Sequence, residues 1–462
     1  MAERTLIDSM IEKARKAQEA FESYTQEQVD EVVKTVGKTI FDNAELLAVE
    51  AVEETHYGNV ASKIIKQQGA CSGAWHYLYD KKSVGMLDYD PETEIATYAK
   101  PLGVVCCLTP ATNPTSTMGS NGMNILKCRN AMIVSPHPRA KKVSKHGLDL
   151  INAALAKIGA PENLIQIVEE PSMDSTKELM SKVDVVIATG GAAMVKSAYS
   201  SGRPSFGVGQ GNVQVLVAED YNDFDTMAST IVTARSYDNG MPCTGEQALH
   251  FPAEKEQAIV DAFAKAGGFL IPDDKVDDLA KFIFNEKGMS NPAHVGKSAL
   301  EIAQALGITA PADTKLLLFH TQGVGPGHIL CREKLMPVTQ LFPYTDFRQA
   351  VEDARTNLLW EGAGHTAVIY THDRKLAEAA AERLPVGRMV VNQKGGAGSG
   401  SSGTNALPPT MSLGCGSWGN NSISENLTYR HLMNTTKLAF PLEAVCRPSY
   451  DEIWAEGVAL KD

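Results

Sequence analysis

The sequence predicts an α/β protein with two Rossmann-like parallel-sheet domains. Short β-branched runs alternate with helical stretches from about residue 101 onward, and strands separated by helices of that length form right-handed βαβ units. The alternation comes as two series, one before and one after Cys243. The length, 462 residues, exceeds what one small core requires.

The first ninety residues read as helix. Leu6, Met10, Ile11, Ala14 and Ala17 recur at helical spacing, as do Val29, Val32, Val33, Val36 and Ile40. Alternation at Glu94–Tyr98 signals a strand. The first α/β series then offers strands at Gly103–Leu108, Ala131–Ser135, Ile165–Val168, Val183–Ala188 and Val213–Val217. Helices at Thr117–Lys127, Ala140–Lys157 and Ser172–Ser181 separate them. The second series has strands at Ala248–Phe251, Lys315–Phe319, Gln340–Tyr344, Thr366–Tyr370 and Arg388–Asn392, so the boundary is expected near residue 236. The run KGGAGSGSSGTNALPPT, residues 394–410, reads as a long loop, either functional or a linker.

Composition excludes several classes. Fifty-five acidic against 43 basic residues give a net charge of -12, which argues against a nucleic-acid surface. No apolar run approaches the ~20 residues that span a bilayer. The N-terminus, MAERTLIDSMIEKARKAQ, is charged and lacks the apolar core of a signal peptide. The eight cysteines include no C-x-x-C pair, so reduced cytoplasmic thiols are the simplest reading. The histidines show no H-x-x-x-H or H-E-x-x-H spacing, and no metal site is expected. A G-x-S-x-G elbow and a P-loop are both absent.

Five stretches carry candidate chemistry. In SYDNGMPCTGEQ, residues 236–247, Cys243 is flanked by glycines two and three residues away. It is either a packed thiol or a nucleophile presented on a tight turn. Ala188-Thr189-Gly190-Gly191 follows a strand and opens a helix, a geometry that aims backbone N–H groups at an anion, though a plain turn has the same sequence. SPHPRAKK, residues 135–142, ends a strand with two prolines and three basic residues, suited to a nucleotide ribose or to solvent. CREKLMPV, residues 331–338, places Glu333 ahead of a strand. EGAGHTAVIY, residues 361–370, sets His365 among small residues.

Taken together, these stretches resemble the aldehyde dehydrogenase superfamily in its CoA-acylating branch. The motifs in order are Thr112-Asn113-Pro114, PHP-x-AKK at 136–142, ATGG at 188–191 and YSSGRPSFGVGQGN at 199–212. They continue with DNG-x-x-C-x-x-EQ around Cys243, C-x-EK-x-x-PV at 331–338, EGAGHTA at 361–367 and LGCGSWGNNSISEN at 413–426. The last motif, with the ending Pro448-Ser449-Tyr450-x-Glu452-Ile453-Trp454, is shared most closely with CoA-dependent succinate-semialdehyde dehydrogenases. The resemblance implies an aldehyde dehydrogenase-like fold with a β-flap for oligomerisation. It implies a cofactor-binding domain at 1–235 with an oligomerisation strand near 94–100, a catalytic domain at 236–425, and a C-terminal oligomerisation segment at 426–462. A homodimer or homotetramer is expected.

The resemblance also implies roles. Cys243 attacks the aldehyde, the Asn113 amide and the Cys243 N–H stabilise the oxyanion, and coenzyme A takes the acyl group by thiol exchange. A thiolate suits both halves, being a good nucleophile and a good leaving group. Thr109, Pro110, His137, Pro138, Arg139, Thr189, Gly190, Gly191, Gly209, Glu333 and Pro337 fall to the nucleotide, with Glu333 on the nicotinamide ribose. His365 assists the CoA thiol or positions the intermediate. Hydrolytic relatives carry a glutamate base where this chain has Phe206–Asn212, which contains no carboxylate. Attack by water is therefore expected to be slow. Arg139, Lys141 and Lys142, with no acid among them, permit NADP, which is expected ahead of NAD. Thr115, Pro242, Thr244 and Lys394 suit a small aldehyde with a terminal anion, succinate semialdehyde or sulfoacetaldehyde. If they only shape the loop, the substrate is acetaldehyde or propionaldehyde. A hydrolytic enzyme is the more distant alternative.

Overall fold

The computed structural model describes residues 5–400, 403–442 and 449–455. Residues 1–4, 401–402, 443–448 and 456–462 lie outside the described residues, and with them Pro448 and about a third of the expected 426–462 segment.

Four helices open the chain: α1 (Leu6–Glu22), α2 (Gln26–Asp42), α3 (Ala44–Thr55) and α4 (Val60–Leu78). Thr5 and Thr25 cap α1 and α2 through reciprocal capping boxes, each satisfying two terminal N–H groups. The buried faces of both helices carry the apolar residues read from the spacing except Leu6, which is exposed while its neighbour Ile7 is buried.

The strands are β1 (Met86–Asp90), β2 (Ile95–Pro101), β3 (Val104–Thr109), β4 (Ala131–Pro136) and β5 (Ile165–Ile167). Next come β6 (Val185–Thr189), β7 (Ser205–Val208), β8 (Val213–Val217), β9 (Glu246–Pro252) and β10 (Gly268–Leu270). The series ends with β11 (Leu316–His320), β12 (Val338–Tyr344), β13 (Gly364–Tyr370), β14 (Val386–Val391) and β15 (Met433–Ala439). Among the described residues they form three sheets. A five-stranded parallel sheet has the order β5-β4-β3-β6-β7, and a seven-stranded parallel sheet the order β10-β11-β12-β9-β8-β13-β14. Every residue of β3, β4, β9 and β13 is buried, as expected of parallel strands covered on both faces. Antiparallel β1-β2-β15 makes a small separate sheet, and six of the seven residues of β15 are exposed.

Helices α5 (Pro114–Lys127), α6 (Lys141–Lys157) and α7 (Met173–Lys182) match the expected helices within a few residues. The remaining two that bear on the site are α8 (Ala192–Tyr199) and α9 (Phe224–Ser236). Two expectations are corrected. Val213–Val217 lies between β9 and β13 of the seven-stranded sheet, and α9 packs into that sheet's core. The chain therefore changes sheets at Gly209–Asn212, not near 236, because strand pairing is a long-range choice that local pattern does not encode. The run at 394–410 is not wholly a loop: Gly395–Gly400 is helical and mostly buried.

Candidate active site

In the five-stranded sheet, the chain builds outward from β3 through β4 to β5, then returns to place β6 on the other side of β3. The strand order reverses between β3 and β6, and ligands of open α/β sheets bind beyond the carboxyl ends at such a point. Thr109 ends β3 and Pro110 follows it, His137–Arg139 follow β4, and Thr189 ends β6 ahead of Gly190 and Gly191. These three expected nucleotide-binding groups thus share one edge.

That edge has the features of an anion cradle. Gly191 caps α8 with no side-chain hydrogen bond to the first-turn amides. A Cβ on Gly191 or Gly209 would meet nothing within 4 Å, so both face open space. The hydroxyl of Thr109 is buried without a partner. A dinucleotide fits these residues. The fold also corrects the basic run at 139–142. The Glu54 carboxylate accepts from the N–H groups of Lys142 and Val143 at 2.9 and 2.8 Å, and the Lys141 ammonium pairs with Glu170. Two acids absent from the local sequence thus stand among the bases, and the basic run gives no ground for preferring NADP.

Groups of the second unit come from the amino ends of the seven-stranded sheet. Cys243 precedes β9, Glu333 and Pro337 precede β12, and His365 is the second residue of β13. The Cys243 turn is held from several sides. Gly245 N–H donates to the Pro242 carbonyl at 3.0 Å, closing the loop around the thiol. A Cβ on Gly211 would lie 1.8 Å from the Cys243 carbonyl oxygen, and one on Gly240 2.2 Å from the Met336 carbonyl carbon. Glycine is required at both for the backbones to approach this closely. Beneath the turn, the fully buried Arg235 guanidinium donates to the carbonyls of Gly240, Lys334 and Val338 and to Gln247 Oε1. It thereby fastens the cysteine turn to the Glu333 loop.

Glu333 is 5% exposed, and its Oε1 accepts the Gly211 N–H at 3.1 Å. Burial, and then the Glu361 carboxylate, push its pKa up to about 8, against the opposing Gly211 amide and Arg235 charge. Burial also pushes the Cys243 thiol up to about 12; Glu333 and Cys415 add to the rise, and the Arg388 guanidinium opposes it. Among the seven described cysteines, all free, Cys243 alone is not fully buried.

Asn113 caps α5, whose first helical residue is Pro114. Its Oδ1 accepts from Lys66 Nζ at 2.6 Å. Lys66 also donates to Asp238 Oδ2 at 2.5 Å, and Lys63 Nζ lies 3.3 Å from the same oxygen. His365 is fully buried, with Nδ1 3.1 Å from the Thr366 hydroxyl and Nε2 unpartnered. Burial and the Arg388 charge lower its pKa to about 3, so it is neutral. Arg388, on β14, donates Nη2 to the Gly414 carbonyl and leaves Nε and Nη1 unpartnered in the interior.

The expected substrate residues divide. Pro242 and Thr244 flank Cys243, and a Cβ on Gly396 would lie 3.3 Å from the Thr244 hydroxyl, so the glycine-rich helix borders the turn. Thr115 is buried and spends its proton on Gln67 Oε1 at 2.8 Å. Lys394 is exposed, which corrects the expectation of a desolvated anion partner. Sequence reasoning missed Lys63, Lys66, Asp238, Arg235 and Arg388. The i, i+3 lysine pair on an otherwise buried helix face was the one local signal available for Lys63 and Lys66. Among the described residues, no cluster of three His, Cys, Asp or Glu side chains could hold a metal ion. No helix there is long and apolar enough to cross a membrane.

The switch point of the five-stranded sheet leads through Gly209–Asn212 to the Cys243 turn, an arrangement that suits a nucleotide-linked enzyme working through a thiol. The aldehyde dehydrogenase family profile matches residues 1–280. The chain is 46% identical to the succinate-semialdehyde dehydrogenase (acetylating) of Clostridium kluyveri over 454 residues, 98% of this chain and 100% of the relative. It is 40% identical to the sulfoacetaldehyde dehydrogenase (acylating) of Bilophila wadsworthia over 450 residues, 94% of this chain and 95% of that one. Its fold matches the Rhodopseudomonas palustris propionaldehyde dehydrogenase solved with bound CoA and an acylated cysteine. The TM-score is 0.84 at 28% identity, over 94% of this chain and 97% of that one. The chain belongs to the aldehyde dehydrogenase family. Within it, this is an enzyme of the CoA-acylating branch, which oxidises an aldehyde with NAD(P) and hands the acyl group to coenzyme A.

Proposed function

We propose that this enzyme converts a short aldehyde with a terminal anion, succinate semialdehyde or sulfoacetaldehyde, into its acyl-CoA through a thioester on Cys243. The carrying observation is the Cys243 turn itself. It is pinned by Gly211, Gly240 and Arg235 between the two sheets and holds the one described thiol that is not fully buried. Cys243 adds to the aldehyde carbon, and Asn113 with the Cys243 N–H receives the oxyanion. Bound nicotinamide dinucleotide supplies the hydride acceptor that turns this adduct into a thioester, and coenzyme A supplies the thiol that removes the acyl group. Thr109, Pro110, His137–Arg139, Thr189–Gly191, Gly209 and Pro337 hold the nucleotide, with Glu333 on its ribose. His365 stays neutral and is too weak a base to take a proton from a thiol, so its unpartnered Nε2 orients the acyl intermediate.

Water is excluded as the acyl acceptor for a physical reason. Phe206–Asn212 offers no carboxylate to activate it. Product analysis tests this. Acyl-CoA is expected only with CoA present, and a free acid formed equally well without CoA would overturn the reading.

The anionic substrate rests on the relatives' substrates, with Lys394, just ahead of the glycine-rich helix, as the one cation of the expected set. Because Lys394 is exposed, its effect is screened. Lys394→Met is expected to lower kcat/KM for succinate semialdehyde and sulfoacetaldehyde by about threefold to tenfold and to spare acetaldehyde. If acetaldehyde were the best substrate, the anionic reading would fail. The exposed strand β15, beside β2, is proposed as the edge through which subunits associate. Free thiols at all seven described cysteines support a cytoplasmic setting.

A pH dependence follows from the two raised groups. With the thiol near 12, the thiolate fraction of the free enzyme rises tenfold per pH unit across the neutral range. Above about 8, Glu333 becomes charged and holds the proton on Cys243 more tightly, so the slope falls. The rate of Cys243 alkylation by iodoacetamide is therefore expected to climb steeply below about pH 8 and to show a partial flattening around it, where Glu333 ionises. Glu333→Gln removes the flattening. Parallel profiles for the two proteins would show that Glu333 does not act on the thiol.

A further inference from the structure

We infer that Lys66 is a positioning residue that fixes and polarises the Asn113 amide, and that Asp238 ties this device to the cysteine turn. The inference rests on the oxyanion role proposed for Asn113.

A lysine ammonium has three donors and no acceptor. A Lys66 Nζ to Asn113 contact of 2.6 Å therefore requires the amide oxygen to face the lysine. The NH₂ group must then point the other way, where its contact is the adjacent Thr112 hydroxyl at 3.2 Å. One amide proton remains free to donate. A cation on the carbonyl end draws electron density from the amide and makes that proton a stronger donor.

The ammonium is itself held. The side chains of Lys66, Lys63 and Asp238 are 9%, 4% and 0% exposed. Lys63 also donates to the Thr112 carbonyl at 3.1 Å, one residue before Asn113. Asp238 Oδ1 accepts the Asn59 N–H at 3.0 Å, so both carboxylate oxygens are occupied. Two cations against one carboxylate leave a net positive charge behind the amide. Glu333 and Arg388, the other charged groups acting on Cys243, are not among the partners of this cluster.

The backbone is bent to bring Asp238 there. Asp238 and Asn239 have φ of 48° and 52°, left-handed values that cost free energy in residues with a Cβ. A Cβ on Gly58 would lie 1.8 Å from Asp238 Oδ1, so α4's leading loop is also fitted to this carboxylate. Asp238 stands five residues before Cys243 in the same turn. The residue that anchors Lys66 is thus covalently close to the nucleophile, which sets the amide donor and the thiol relative to each other.

A double-mutant cycle tests this. Lys66→Met is expected to lower kcat by about tenfold to a hundredfold with KM little changed, since the interaction acts on the transition state. Lys66→Arg, which keeps the charge, should recover part of the loss. In an Asn113→Ala background, Lys66→Met should change the rate by less than about twofold, because the group it acts through is gone. Alkylation of Cys243 by iodoacetamide builds no oxyanion and should proceed at the wild-type rate in Lys66→Met. Multiplying losses in the double variant, or slowed alkylation, would overturn the inference and make Lys66 a structural residue. Wild-type activity in Lys66→Met would also overturn it. Near wild-type activity in Asn113→Ala alone is a different result and would sink the oxyanion reading itself. Should Lys66→Met not fold, Lys66→Gln replaces it, keeping a neutral donor without the charge. It is expected to fall between wild type and Asn113→Ala, and full activity would remove the polarising role.

Discussion

Cys243→Ala is expected to abolish NAD(P)H formation with every aldehyde, a loss of ~10⁴ or more, because no thioester can form. The fold should tolerate the change. The contacts that set the turn are made by the backbone: Gly211 meets the Cys243 carbonyl, and Gly245 bonds the Pro242 carbonyl. Alanine keeps the Cβ and loses only sulfur, so nucleotide binding should stay within about twofold of wild type. Cys243→Ser tests the chemistry further. An alkoxide is harder to form in a site that already pushes a thiol up to about 12, and an ester gives its acyl group to CoA less readily than a thioester. Incubation with aldehyde and NAD(P), without CoA, followed by mass analysis should place the acyl group on the Cys243 peptide. Substantial turnover by Cys243→Ala, or the acyl group on another residue, would remove Cys243 from the reaction.

Much of this arrangement is legible locally. The long helices α1 and α2 and the fully buried strands β3 and β9 announce themselves by period and by apolar runs. Strand β10, three residues long, is too short for a period to be counted, whereas β5, equally short, shows as part of the apolar run Ile165–Val168. Strand β1, MLDYD, is largely exposed and polar, and only its pairing with β2 makes it a strand. The sheet to which Val213–Val217 belongs is decided by β9 and β13, which come later in the chain.

The same division holds at the site. Cys243, Glu333 and His365 lie in stretches that local reading singles out, and the family resemblance, not the local pattern, adds Asn113 and the expected roles. Lys66 does not stand out, since even a lysine pair in a helix ordinarily reads as a solvent-facing stripe. Its meaning comes from partners 47 and 172 positions away. Glu54 likewise reaches the amides of Lys142 and Val143 from 88 and 89 positions away and changes the charge of a segment that looked purely basic. Local sequence shows which groups are chemically able; the fold decides which of them are neutralised, polarised or aimed.

Asn113→Ala carries the second large effect. Addition of the Cys243 thiolate to an aldehyde places a full negative charge on the carbonyl oxygen, and the site must stabilise it without bulk water. Two donors are proposed, the Asn113 amide and the Cys243 N–H, and removal of one such donor typically costs ~10²–10³ in rate. The loss should fall on kcat more than on KM, because the uncharged ground-state carbonyl gains little from the donor. The substitution also strips Lys66 of its amide partner, but Lys66 keeps its ion pair with Asp238 at 2.5 Å. Alanine at the N-cap of α5 costs helix stability little here, since the Asn113 side chain makes no capping hydrogen bond. The rate loss should therefore appear without a comparable fall in melting temperature. Asn113→Asp should be at least as damaging as alanine, because a carboxylate offers no proton to the oxyanion and repels it. A variant with Asn113→Ala within threefold of the wild-type rate would show that the oxyanion is stabilised elsewhere. The unpartnered Nε and Nη1 of Arg388 would then be the next groups to test.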